Sequence, residues 1–344
     1  MKRVVSLLLV VVMMMALVAC GGAEESKAPA SQAPASTAPE KAPESTAPEA
    51  APADIAWPEK PITVIIPAGA GGDTDLNFRL FAKYLQEELG QTIVVSNIKG
   101  VSVAYEEFVK APADGYTAMA HHPGLFCASL LGTIPYSWDQ FETVGIYLID
   151  GQSAWFVGND APYQNMQDVV DAAMKAPVSY ATEVGSMSHL CALQLMALAP
   201  GAQINVVDAG GAADKITALM GGQLDLMFNQ YGLVKDYIAN GDFRCLGIMA
   251  EERSELNPDV PTFKEQGFDM IFDKPFWFFF PEGTDAAIVA KAADAFQAVF
   301  ANEEFAKEAG ETMQTVPSYM TQDESIAYLA EINDLYAGLL ANMK

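Results

Sequence analysis

From position 57 onward, short runs of β-branched and aromatic residues alternate with stretches whose apolar positions recur at helical spacing. Residues 61–66, PITVII, predict a strand, 75–89 an amphipathic helix closed by Gly90, and 92–96 a second strand. A helix at 105–110 and strands at 116–120, 144–148 and 153–157 follow. A second set interleaves helices at 165–175, 188–198, 212–220 and 232–240 with strands at 178–182, 203–207, 224–228 and 245–249. The run 276–280, FWFFF, is apolar at every position and predicts a strand covered on both faces. Only helices come after it, at 286–301, 303–309 and 321–340. Strands separated by helices predict an α/β protein with parallel sheets, the last helices returning to cover the first sheet.

The first 56 residues follow different rules. Lys2 and Arg3 precede an apolar run from 4 to 19, broken only by Ser6 and ending Leu17-Val18-Ala19-Cys20-Gly21. A basic start, a short apolar run and small residues at a cut describe a secretory signal, here residues 1–19. The cysteine directly after it resembles the lipobox of bacterial lipoproteins, with Cys20 the first mature residue and the lipid attachment point. The run falls short of the roughly 20 residues a membrane span needs. Residues 20–56 then form a linker, almost all Ala, Pro, Ser, Thr and Glu with prolines at 29, 34, 39, 43, 48 and 52. Such a segment buries no core and favours extended polyproline II, a semi-rigid spacer. The folded part is therefore expected outside the cytoplasm, anchored to the cell membrane through Cys20.

Length and charge narrow the function. The 344 residues suit about two domains. Nineteen Lys and Arg against 44 Asp and Glu give a net charge of -25, which excludes a protein that neutralises many phosphates, so no nucleic-acid partner is expected. The acidity sits on the folded part, where 15 basic side chains face 38 acidic ones. Cys127, Cys191 and Cys245 lack C-x-x-C spacing and read as small buried side chains, with at least one free thiol. No H-E-x-x-H occurs, and the adjacent His121 and His122 cannot share a helix face as ligands at i, i+4 do. Neither a metal nor a cofactor is expected.

Candidate chemistry gathers where strands give way to helices, the place where open α/β sheets bind ligands. The first junction, Pro67-Ala68-Gly69-Ala70-Gly71-Gly72-Asp73-Thr74-Asp75, follows strand 61–66. Its glycines let the main chain approach a ligand, and the N-H groups opening the next helix favour an anion. With Thr74 in place of a third glycine and no Gly-Lys-Ser/Thr, it is neither a dinucleotide nor a nucleotide loop. The second junction, Thr182-Glu183-Val184-Gly185-Ser186-Met187-Ser188-His189, sets hydroxyls beside helix-start amides, a neutral cradle for a carboxylate. It is not G-x-S-x-G, and neighbouring Ser and His make no triad, so a secreted hydrolase is a poor fit. The third, Asp208-Ala209-Gly210-Gly211-Ala212-Ala213, offers another amide nest. His121 and Asn229 follow strands and are further candidates. Asp225 and Arg79 read as structural and Trp277 as core.

These residues, in order over positions 57–344, carry a resemblance to the substrate-binding lipoproteins of tripartite tricarboxylate transporters, the Bug-type extracytoplasmic solute receptors. It rests on Trp57-Pro58, Gly71-Gly72, Asp75 with Arg79, Asn97 and Asp114-Gly115-Tyr116-Thr117 in the first half. Gly185-Ser186 with His189, Gly210-Gly211, Gly221-Gly222-Gln223 with Asp225, Pro258-Asp259-Val260-Pro261-Thr262 and Pro281-Glu282-Gly283-Thr284 continue it. The resemblance implies a two-lobed periplasmic-binding-protein-like fold of type II, lobe 1 being 57–157 plus 276–344 and lobe 2 158–275. It implies a monomer that closes over a small organic carboxylate or amino acid, held largely by main-chain amides and waters, and delivers it to membrane permease subunits without reaction. A sensory receptor, or one serving another transporter type, would share this physics. The sequence departs from the family at 98–104, bulkier than the usual glycine-rich loop, and at Asp208-Ala209, where a Tyr with a basic residue is usual. A carboxylate there and an acidic surface disfavour trianions, so a monocarboxylate, amino acid or small dicarboxylate is expected.

Overall fold

The computed structural model describes residues 55–342. The expected signal sequence, Cys20 and the linker up to residue 54 lie outside the described residues. The rest forms two five-stranded sheets. The first contains β1 (Ile62–Ile66), β2 (Ile93–Asn97), β3 (Thr117–His121), β4 (Glu142–Asp150) and β10 (Lys274–Phe280), in the order β2-β1-β3-β10-β4. The second contains β5 (Ser153–Gly158), β6 (Val178–Thr182), β7 (Ile204–Asp208), β8 (Leu226–Gln230) and β9 (Phe243–Ile248), in the order β7-β6-β8-β5-β9. The helices are α1 (Asp73–Leu89), α2 (Val101–Phe108), α3 (Gly124–Leu130), α4 (Met166–Ala173), α5 (Met187–Leu198), α6 (Ala212–Met220), α7 (Tyr231–Ala239), α8 (Ala286–Phe300), α9 (Glu303–Met313) and α10 (Gln322–Asn342).

Neither sheet is wholly parallel. In the first, β10 runs antiparallel to β3 and β4, and in the second β5 runs antiparallel to β8 and β9. Both are reached without a crossover helix, β5 after two residues from β4 and β10 after the helix-free stretch 249–273, and both enter from the other sheet. A helical crossover would have returned them parallel. Residues 153–157, expected in lobe 1, accordingly pair within the second sheet as β5. Helix α3 was not expected from the pattern, and α2 begins at Val101, right after Gly100 at φ +105°, rather than at 105. Helix α9 continues through Gly310 to Met313.

Apolar faces are covered as the pattern requires. Phe81 of α1 packs 4.6 Å from Phe296 of α8 and 5.0 Å from Tyr147 of β4, between ring centroids. Trp277 is fully buried and stacks on Phe126 of α3 at 5.3 Å, while Trp155 of β5 lies 4.8 Å from Tyr180 of β6. Each such ring contributes about 1.5–3 kcal/mol by leaving water. Two motif residues explain each other: the Trp57 indole donates to the Gly115 carbonyl at 3.1 Å, and a Cβ on Gly115, which has φ +78°, would sit 2.7 Å from that indole nitrogen. Gly232 of α7 lets a helix of the second sheet meet the end of α9, since a Cβ there would lie 1.9 Å from the Met313 carbonyl oxygen. Gly232→Ala is therefore expected to lower stability by about 1–3 kcal/mol in urea titrations.

Candidate functional site

Loops at the carboxyl ends of five parallel strands enclose one cavity of about 310 Å³. From the first sheet come Pro67, Ala68, Gly69, Ala70, Gly72, Asp73 and Thr74 after β1, Lys99 to Val103 after β2, and His121, His122 and Gly124 after β3. From the second come Glu183, Val184, Gly185 and Ser186 after β6, and Gly211 to Asp214 after β7. Helices α1, α2, α3, α5 and α6 thus all begin at its wall. None of these five is capped by the side chain of its N-cap residue, Gly72, Gly100, Pro123, Ser186 or Gly211. Helices α4, α8 and α9, which start elsewhere, are capped by Asn165, Asp285 and Asn302. Helix-start N-H groups have no intrahelical acceptor, so those of α1, α5 and α6 supply donors and a positive end of the helix dipole from both sheets. Thr74 adds a buried hydroxyl with no hydrogen-bond partner among the described residues.

The loops are shaped by polar side chains behind them. Asp75, buried, accepts from the Gly71 N-H at 2.8 Å and binds Arg79 Nε and Asn97 Nδ2 at 2.8 and 2.9 Å, while Asn97 reaches the Ala68 carbonyl. Asp225 ties β6 down through Ser179 N-H and Oγ. In the second junction the Ser188 hydroxyl is engaged by Thr182 Oγ1 at 2.7 Å and Ser186 Oγ at 2.8 Å, and His189 Nδ1 accepts from the Gly185 N-H. Ser188 and His189 therefore brace the loop from outside the lining, as do buried Met187 and positive-φ Gly71. Asp208 is exposed and accepts from the Gly210 N-H at 3.2 Å, away from the lining. Asn229, buried, donates to the Ala212 carbonyl at 3.0 Å and orients the start of α6.

The charges around the cavity are largely compensated. Lys274, 2% exposed at the start of β10, binds Asp73 Oδ2 at 2.7 Å and Asp150 Oδ2 at 3.3 Å. Burial would raise the Asp73 carboxyl, but the Lys274 ammonium outweighs it and holds Asp73 well below the carboxylate range. Across the cavity mouth, Lys99 binds Asp214 Oδ2 at 2.7 Å, and deeper in, Asn77 of α1 donates to Gln230 Oε1 at 2.8 Å; both link elements of different sheets. The Glu183 carboxylate, raised by burial and lowered in part by Lys215, accepts no hydrogen bond among the described residues, while its main-chain carbonyl accepts from Thr182 Oγ1 at 3.2 Å.

Both imidazoles at the wall are neutral. Burial pushes His122 down to about 4 and His121 well below its usual value. Gly124 N-H donates to His122 Nδ1 at 2.9 Å, which places the ring proton on Nε2, and His121 Nδ1 lies 3.0 Å from the Tyr105 hydroxyl. Because the unfolded chain takes up these protons near pH 6.5 and the native state only well below it, at about 4 for His122, stability is full above 6.5 and falls as pH drops below it. The expected slope is up to about 1.4 kcal/mol per pH unit for each imidazole. His122→Gln should flatten the fall when urea midpoints at pH 7.5 and 5 are compared with those of the unaltered chain.

Sequence reasoning missed Lys99, the apolar Val101, Val103 and Val184, Glu183 as a lining group, Gly124, Ala128, Thr133 and Asp214. Most follow strand ends recognised in the pattern, and that position was the available signal.

Residues 77–332 match the model of the tripartite tricarboxylate transporter family receptor, and the chain belongs to that family. It is 30% identical to protein BugT of Bordetella pertussis over 83% of this chain and 89% of that protein. The solved periplasmic binding protein BugD is 25% identical and superposes with a TM-score of 0.76 over 83% of this chain and 98% of its own. MatC of Rhodopseudomonas palustris, solved with malate bound, gives 0.74 at 23% identity over 83% of this chain and 99% of its own. The chain is thus an extracytoplasmic solute receptor of periplasmic-binding-protein fold, and not an enzyme.

Proposed function

We propose that this receptor closes its two lobes over one small organic carboxylate and passes it to the membrane permease subunits of a tripartite tricarboxylate-type transporter, working as a monomer tethered by lipid on Cys20. The observation that carries the reading is the set of helix starts from both sheets, none capped by its own N-cap side chain, around a single cavity. A carboxylate there accepts from amides of α1 on one side and α5 or α6 on the other, so it binds the closed arrangement better than an open one, which is what drives closure. That MatC holds malate in the same fold supports the ligand class. The neutral His122 Nε2-H and the Thr74 hydroxyl supply further uncharged donors.

The test is a melting-temperature screen of refolded protein against mono- and dicarboxylates and amino acids. A ligand at 100-fold excess over its Kd should add about 2.7 kcal/mol. No shift with any carboxylate-bearing compound would reject the reading. The tether is tested separately: Cys20→Ser should move the protein from the membrane fraction to the soluble one and abolish fatty-acid labelling, and retention with label would contradict it.

A further inference from the structure

Among the described residues, two opposite charges beside the cavity have no hydrogen-bond or ion-pair partner. Lys215 lies on α6, one turn beyond the lining residues Gly211 and Ala212 and on the same helix face. Helical side chains lean toward the N-terminus, so its ammonium is carried toward the cavity end of the helix. The residue is 5% exposed, and among the described residues Nζ makes no hydrogen bond or ion pair, resting 5.2 Å from the Phe228 ring centroid. Burial holds this ammonium down to about 8, the field of Asp73 opposing and that of Lys274 reinforcing the drop. Glu183 lines the cavity one junction away, its carboxylate also without a hydrogen-bond or ion-pair partner among the described residues. A buried ammonium with no acceptor among the described residues is costly unless an anion held nearby offsets its charge.

We propose that Glu183 and Lys215 define a zwitterion subsite, so that the carboxylate captured here is that of an α-amino acid. The ligand carboxylate takes the amides of α1 and α6, with Lys215 behind them and the Thr74 hydroxyl at its edge. The ligand ammonium faces Glu183. Asp73 and Asp214 do not compete for it, because Lys274 and Lys99 already hold them. A ligand with carboxylates at both ends would set its second anion against Glu183 and leave that group's burial uncompensated.

This inference rests on the carboxylate reading and is separable from it. The full chain is titrated calorimetrically with matched pairs that differ only in the amine: alanine and propionate, aspartate and succinate, glutamate and glutarate, phenylalanine and 3-phenylpropionate. In the pair that fits the cavity, the amino acid should bind about 10–100-fold more tightly, the worth of one charge-assisted hydrogen bond. Glu183→Gln should erase that preference while leaving the des-amino partner's affinity equal or improved, and Lys215→Met should weaken both members. Unliganded melting temperatures show whether each variant is folded, and Glu183→Asp, which keeps the charge, should retain the preference. Binding of des-amino acids with equal or higher affinity overturns the zwitterion subsite and leaves the carboxylate reading standing. Binding of neither class overturns both.

Discussion

Lys274→Met should lower the unfolding free energy by about 3–5 kcal/mol, the usual cost of stranding buried charges by removing one partner. Two carboxylates depend on that ammonium, Asp73 at the cavity wall and Asp150 at the end of β4. Asp150 also accepts from Gln152 N-H at 2.8 Å and Ser153 Oγ at 2.9 Å, which organises the passage from β4 into β5. Lys274 opens β10, where the chain returns to the first sheet, and pairs in register with Asp150. One side chain therefore joins both strands that cross between the sheets to the start of α1. Urea denaturation at pH 7 measures the loss, and adding Asp73→Asn should restore part of it by removing one stranded anion. A loss below about 1 kcal/mol would show that the triad is not held as described. Binding should weaken as well, because an unmasked Asp73 repels the ligand's carboxylate.

Ala212→Leu should abolish binding while leaving the fold nearly intact. Ala212 lines the cavity where the starts of α1 and α6 approach: a Cβ on Gly72 would lie 3.9 Å from that of Ala212. A leucine side chain there displaces the ligand from the amides of both helices. The expected loss is about 100-fold or more, the equivalent of two charge-assisted hydrogen bonds. Because the added atoms enter the cavity rather than packed core, the unliganded melting temperature should change little. Affinity within about threefold of the unaltered chain would move the site elsewhere.

The sequence made the scaffold legible because strand and helix periodicities differ and glycines mark the junctions between them. It placed the first, second and third junctions on strand ends, and these are three of the five loops that meet at the cavity. What it hid is long-range. Ser188 sits in a good hydroxyl cradle locally, yet Thr182 and Ser186 consume it. A lysine before a proline, as at Lys274-Pro275, has the look of an exposed strand edge, and nothing nearby shows that Asp73 and Asp150, far away in the chain, make it buried. Lys215 likewise sits where an amphipathic helix would place a solvated charge. Asp208 shows the reverse: a local exception to the family pattern, it turns outward onto Gly210 N-H instead of facing a ligand.

A crystal structure of the chain grown with its tightest ligand from the thermal screen tests the mechanism most directly. The ligand's carboxylate oxygens should lie within about 2.7–3.2 Å of main-chain nitrogens opening α1 and of those opening α5 or α6, bridging both sheets. A ligand bound outside the cavity, or gripped by side chains of one sheet alone, would contradict it.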